Sequence, residues 1–220
     1  MDEMNEARWR YTHDYLAEVF GVEDAAAAAT SARSREAGLA PIAVSSDVGR
    51  LLTLLAGLSG ARTAIEIGTL GGYSALHIVQ GLGPGGRLIT IDRDTKAVEI
   101  ARRSLAQAGV GDRVRCEVGA AADVLPRVAA ELGAASVGFA FMDADKTEYT
   151  ANWTLLRPLV ARGGLVVVDN VLGTRRWWID EETHPSRVAV DAFNRALAAD
   201  PDFDVAAILA RQGLLVARRR

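Results

Sequence analysis

An α/β fold, a mostly parallel sheet with helices on both faces, is what three features of this 220-residue sequence predict. From about residue 63 onward, short β-branched runs alternate with helix-like segments. The runs are continuously apolar, the mark of strands buried on both faces of a parallel sheet. Near its end the chain abandons that alternation for what reads as a hairpin, which adds an antiparallel strand to the sheet.

Residues 1–60 read as largely helical, with "SSDVGRLLTLLAGL" the clearest amphipathic piece and "DAAAAATSAR" a further helix. "TAIEIG" is the first strand and "SALHIVQGL" the helix after it. "GGRLITID" and "TKAVEIARRSLAQAG" form the next unit, then "RVRCEVG" with "AADVLPRVAAEL", "VGFAFMDAD" with "EYTANWTLLRPLV", and "GGLVVVDN". Gly109 stands after a helix and Gly163-Gly164 before a strand, as element boundaries require. "DAFNRALAAD" is the last helix, and "FDVAAILA", the turn "RQG" and "LLVARRR" make the hairpin. With no internal repeat and no long linker, one domain is expected over 1–220, a helical part (1–60) leading into a sheet core (61–220).

Composition excludes several classes. Half the residues are apolar and 24% are charged, the balance of a globular domain with a full core. A net charge of −3 and the lack of a basic face before the terminal "RRR" argue against a nucleic-acid partner. A single cysteine, Cys116, excludes a disulfide framework and is expected to pack as a small hydrophobe. "MDEMNEARWR" is too charged for a signal peptide and no apolar run approaches membrane-spanning length, so a cytoplasmic chain without a membrane partner is expected.

The stretch "EIGTLGGYS", Glu66 to Ser74, follows the first strand and opens a helix. Its glycines allow a sharp turn and close approach of a ligand to the backbone, although glycine often serves the turn alone. The second strand then ends in Asp92, where an acid can accept hydrogen bonds from both hydroxyls of a ribose. Capping the next helix is the competing use of Asp92, but Asp94 is better placed for it. A pyrophosphate would be repelled by Glu66, whereas a sulfonium bearing an α-amino group suits it, so S-adenosylmethionine is the expected ligand. A surface ion pair is the other use of Glu66, and Ser74 serves equally as a helix-start residue or as a donor to a ligand carboxylate.

Two later strands end in acids and amides, "FMDADK" at Asp143 and "VVVDN" at Asp169 and Asn170. Carboxylates at the rim of a core are costly unless something neutralises them. In a doubly wound sheet these ends open into one crevice, so the three side chains can converge as an oxygen-only set suited to Mg²⁺, with Ca²⁺ or Mn²⁺ as substitutes. Lys146 lies three residues past Asp143. An ammonium close to a divalent cation is pushed towards its neutral form, which suits a general base, and an ordinary ion pair with Asp143 or Asp145 is the alternative. A nicotinamide-dependent oxidoreductase shares the sheet and the ribose acid, and a signalling receiver module shares the Asp, Lys and Mg²⁺. The first has no use for Asp169-Asn170, and the second does not account for the glycine loop.

With "EIGTLGGYS", "FMDADKTEY" and "VVVDNVL" together, the chain from "APIAVSSDVG" to its end resembles the cation-dependent class I O-methyltransferases, the group of caffeoyl-CoA and catechol O-methyltransferases. That resemblance implies a Rossmann-like, seven-stranded sheet whose last strand is antiparallel. It implies methyl transfer to one hydroxyl of a catechol-type acceptor, and commonly a homodimer. Asp143, Asp169 and Asn170 then look like metal ligands, and Lys146, beside Asp143, like the catalytic base. Val44, Glu66, Gly68, Thr69, Ser74, Asp92, Ala121 and Asp143 look like cofactor contacts, although the family often has proline where this chain has Ala120. "GTRRWWIDEETHPSR" follows the last of these ligands and offers Arg175, Arg176, Trp177 and Trp178 either to an acceptor or to a dimer contact. His184 has no assigned partner, His13 and His77 read as structural, and Trp9, Tyr11 and Tyr15 have the helical spacing of residues that pack.

Overall fold

The helical start of the chain follows from side-chain caps on its first two helices and, in the third, from apolar residues at helical spacing. In the computed structural model, which describes residues 5–173, 183–210 and 212–220, α1 spans Glu6–Phe20, α2 Ala25–Glu36 and α3 Ser46–Ser59. Asn5 and Asp24 open the first two by accepting from the N–H groups of Arg8 and Ala27. Gly60 ends α3 in the left-handed region, at φ 61°.

Seven strands then form one sheet: β1 (Thr63–Ile67), β2 (Arg87–Asp92), β3 (Val114–Val118), β4 (Val137–Met142), β5 (Val160–Asp169), β6 (Phe203–Ile208) and β7 (Leu214–Arg219). Their order is β3-β2-β1-β4-β5-β7-β6. The first five run parallel, and β7 is antiparallel to both β5 and β6, as the hairpin reading required. Between them run α4 (Tyr73–Gly81), α5 (Thr95–Gln107), α6 (Ala121–Leu132), α7 (Tyr149–Leu156) and α8 (Pro185–Ala198). The strand order reverses between β1 and β4, and ligands bind such sheets in the crevice beyond the carboxyl ends at that point.

Two cores sandwich the sheet. Ile65, Ile91, Met142 and Val168 pack with side chains of α6, α7 and α8 on one face. Ala64, Leu88, Phe141 and Val167 pack with α3, α4 and α5 on the other. Strand pleating therefore decides where the terminal acids point. Thr90, Phe141 and Val167 face the second core, so Asp92, Asp143 and Asp169, each two residues further on, face the same side. Glu66, paired in register with Thr90 and Phe141, faces it too.

Cys116 is buried and free, and burial pushes its thiol up to about 11. His77 is buried with Nδ1 3.1 Å from the Thr53 hydroxyl, and burial lowers its pKa, a structural use as expected. His184, left without a partner in the sequence, caps α8 by accepting from the Ser186 N–H at 3.2 Å. One expectation fails. Trp9, Tyr11 and Tyr15 do not pack into a core, because α1 lies outside both cores against α3 and leaves no residue buried. No described helix is long and apolar enough to cross a membrane.

Candidate active site

A crevice of about 980 Å³ opens at the carboxyl edge of the sheet. Val44, Gly68, Thr69, Ser74, Asp92, Ala121, Asp143, Lys146 and Asn170 line it, so the structure brings most of the expected side chains together. Glu66 and Asp169 are buried just behind that wall, at 0% and 1% exposure. Arg175, Arg176, Trp177 and Trp178 lie outside the described residues.

The glycine turn is shaped by what it touches. Gly68 has φ 105°, and a Cβ there would meet the Asp143 carbonyl oxygen at 2.0 Å. The β1 loop thus lies directly on the end of β4, an approach only glycine permits. Gly68→Ala is expected to destabilise the fold by roughly 2–4 kcal/mol, read as a lower urea midpoint, since both strain and a backbone clash oppose it. Two residues on, Leu70 takes φ 43°, a strained value for leucine. Asp92 holds it there. Its Oδ2 accepts from the N–H groups of Thr69 (3.0 Å) and Leu70 (2.9 Å), and its Oδ1 accepts from the N–H of Asp94 (3.0 Å). Asp92 therefore fastens the loop, a role the sequence did not disclose. A carboxylate has about four acceptor positions, so one remains for a ligand. Asp94 caps α5 through Lys96 and Ala97, as anticipated.

Glu66 sits beneath this loop. The Thr90 hydroxyl donates to its Oε2 at 2.5 Å, and the Thr69 hydroxyl stands 2.6 Å from that of Thr90. Because Thr90 spends its proton on Glu66, Thr69 supplies the proton of the second bond. Oε1 is buried and has no hydrogen-bond partner. Burial raises the Glu66 pKa to about 8, helped by the charges of Asp143 and Asp92 and opposed by nearby Ser74 and Thr90. Ser74 is close enough to temper the shift without satisfying Oε1.

At the ends of β4 and β5, Met142 pairs with Val168, and the next residues in that register are Asp143 and Asp169. Neighbouring strands lie about 4.8 Å apart, so the two carboxylates stand side by side on one sheet face. Asn170 follows with φ 56°, a left-handed conformation that asparagine tolerates better than most residues. Its N–H donates to Asp169 Oδ1 at 2.8 Å, and its Nδ2 donates to Gln212 Oε1 at 3.2 Å. Lys146 Nζ donates to Asp143 Oδ1 at 2.7 Å and to the Ala144 carbonyl at 3.1 Å, and lies 5.1 Å from the centre of the Tyr149 ring. The Tyr149 hydroxyl donates to the backbone oxygen of Asp169 at 2.8 Å, tying the start of α7 to the end of β5. No trio of His, Cys, Asp or Glu gathers among the described residues. The oxygen set consists of two carboxylates and one carboxamide, and that chemistry fits a hard divalent cation.

Gln212 and Tyr149 are participants that sequence reading missed. Tyr149 follows "DADKTE" and could have been found by its position, whereas Gln212 arrives from the β6–β7 turn, 42 residues from Asn170. Arg93 and Glu148 pair at 2.5 Å on the rim, an exposed contact of little energetic weight.

A sheet in this order, closed by an antiparallel strand and opening on a glycine turn with a strand-end acid, defines a class I S-adenosylmethionine-dependent methyltransferase. The family model described as O-methyltransferase matches residues 24–220, and the chain belongs to that O-methyltransferase family. It is 35% identical over 201 residues to a catechol O-methyltransferase of Niastella koreensis, covering 91% of this chain and 90% of the relative. Its structure is similar to that of an O-methyltransferase from Bacillus cereus in complex with SAH, at TM-score 0.87 and 30% identity, over 96% and 97% of the two chains. It is also similar to TomG from Streptomyces achromogenes in complex with SAM, at TM-score 0.86 and 33% identity, over 99% of each chain. Membership of this family sets aside the oxidoreductase and receiver alternatives.

Proposed function

We propose that the chain is a divalent-metal-dependent O-methyltransferase that methylates one hydroxyl of a catechol-type acceptor, and that it works as a homodimer. The observation that carries the chemistry is the meeting of Asp143, Asp169, Asn170 and Lys146 at one sheet edge, beside the loop that covers Glu66. The catechol O-methyltransferase name of the Niastella koreensis relative supports the acceptor class.

In this reading Asp92 accepts from the ribose of the methyl donor, and Val44 and Ala121 line its pocket. The unpartnered Oε1 of Glu66 is matched to the donor's cationic α-amino group, and the Ser74 hydroxyl to its carboxylate. Asp143, Asp169 and Asn170 would hold the metal. A cation bound there supplies Lewis acidity towards a phenol and a fixed charge that orients two vicinal oxygens. Lys146, whose side chain is 11% exposed within the crevice, is the residue proposed to take the proton of the reacting hydroxyl. The phenolic oxygen then forms its bond to the methyl carbon as the carbon–sulfur bond breaks, yielding an aryl methyl ether and S-adenosylhomocysteine. Holding nucleophile and methyl in line can contribute about 7–11 kcal/mol to such a step.

The test is a methylation screen of catechols, hydroxycinnamoyl thioesters and catechol acids with Mg²⁺ and with EDTA. Turnover of vicinal diols that EDTA removes and Mg²⁺ restores is expected, and equal turnover in EDTA would end the metal reading. In the same assay Lys146→Ala should lower kcat by about 10²–10⁴-fold while S-adenosylhomocysteine still binds. An unchanged kcat removes the lysine from proton transfer.

A further inference from the structure

We infer that Gln212 is a positioning residue of the metal site, turning the Asn170 carboxamide so that its oxygen, not its nitrogen, is presented to a cation. The inference rests on the metal reading above and adds to it a residue from the far end of the chain.

The need for such a residue lies in the chemistry of the donor set. Asp143 and Asp169 each carry two equivalent oxygens, so either can face a cation. A carboxamide has two unlike ends. Its oxygen ligates a hard cation, whereas its NH₂ group offers only hydrogens, so a half-turn converts a ligand into a repelling dipole. Asn170 is 6% exposed and lines the crevice. A neighbour has to distinguish its two orientations, as the hydrogen-bond partners of metal ligands generally do.

Gln212 is that neighbour. Its Oε1 accepts from Asn170 Nδ2 at 3.2 Å, which engages the nitrogen and leaves Oδ1 at the other end of the amide. Both residues line the crevice.

Stapling the β6–β7 turn to the loop after β5 is the competing use of this side chain, but the main chain already does so. β7 pairs with β5 as far as Leu214 and Asp169. Beyond that pair, the Val171 N–H donates to the Gly213 carbonyl at 3.1 Å and the Leu172 N–H to the Gln212 carbonyl at 2.8 Å. Gly213 takes φ 81°, and a Cβ there would meet Leu172 Cγ at 2.7 Å, so the turn and the loop lie in contact. Asn194 of α8 adds a bond from its Nδ2 to the Val171 carbonyl at 2.7 Å. None of these contacts uses the Gln212 side chain, which is left to act on Asn170.

Mn²⁺ titration of the full chain followed by electron spin resonance tests this. The proteins are wild type, Gln212→Met, Gln212→Glu, Asn170→Asp and the double variant Asn170→Asp with Gln212→Met. Gln212→Met keeps the length of the side chain and loses the acceptor. It should weaken Mn²⁺ binding by about tenfold, with S-adenosylhomocysteine affinity and the melting temperature in EDTA unchanged. Gln212→Glu keeps an acceptor and should bind Mn²⁺ at least as tightly as wild type. In Asn170→Asp the two oxygens are equivalent and there is no orientation to choose, so adding Gln212→Met should cost less than about threefold. Wild-type affinity in Gln212→Met, or an equal loss in both backgrounds, overturns the inference and keeps the metal reading. Should Gln212→Met lower the melting temperature, Gln212→Glu decides alone, and a tenfold loss there overturns the inference. A wild type that binds no Mn²⁺ overturns the metal reading and this inference together.

Discussion

Replacing Asp169 with alanine is expected to lower kcat for methyl transfer by about a thousandfold or more, while S-adenosylhomocysteine affinity changes by less than about threefold. The size follows from the place of the carboxylate. It stands at the end of β5, 1% exposed and in register with Asp143, in an oxygen set with a single further side-chain member, Asn170. Losing one of two formal negative charges from such a set removes several kcal/mol of attraction for a divalent ion, and each 1.36 kcal/mol is a factor of ten. The fold should survive, because the Tyr149 hydroxyl bonds to the backbone oxygen of residue 169, which alanine retains. The Asn170 N–H does lose its acceptor, Asp169 Oδ1, at a cost of about 1 kcal/mol. Asp169→Asn separates these effects, since it keeps an acceptor for Asn170 and removes the charge. Mn²⁺ titration followed by electron spin resonance should show weakened binding in both variants. Full turnover in Asp169→Ala would disconnect this residue from the chemistry.

What could be read in the sequence was whatever depends on neighbours along the chain. The β-branched runs gave the five parallel strands, and the break before "LLVARRR" gave the antiparallel one. Strand ends in Asp92, Asp143 and Asp169 were visible as acids closing apolar text. Their shared direction was implicit in pleating, but it took the register to establish it. The second role of Asp92 was hidden, because its partners are the backbone amides of Thr69 and Leu70, groups every residue but proline carries. Gln212 was hidden for a different reason, since nothing local in "RQG" marks which side chain returns to the sheet edge. The aromatic residues of α1 misled: helical spacing shows that one side of a helix is apolar, not that the same chain covers it.

Glu66→Gln should make the cofactor-free protein more stable and the cofactor-binding protein worse. The carboxyl has an ordinary pKa of 4.5 and is raised to about 8 in the fold, chiefly by burial. Folding therefore favours the protonated form, and between those two values the folded state holds a proton that the unfolded state has released. Stability then falls as pH rises from about 4.5 towards 8 and levels off above. An isosteric amide carries no such charge and can still accept from the Thr90 hydroxyl, so the variant should lose this slope. In chelator, its melting temperature should exceed that of wild type by little at pH 5 and most at pH 8.5, where the difference is of the order of a few kcal/mol. Binding should move the other way. If a cationic amino group meets the orphaned Oε1, binding requires the ionised carboxyl, and wild-type affinity for S-adenosylhomocysteine should rise up to about tenfold per pH unit below 8. Glu66→Gln should bind more weakly at pH 8.5 and show little of that dependence. Parallel pH profiles of affinity in the two proteins would mean that Glu66 supports the loop without meeting the ligand, and a buried carboxyl costly to folding would then need another reason to be there.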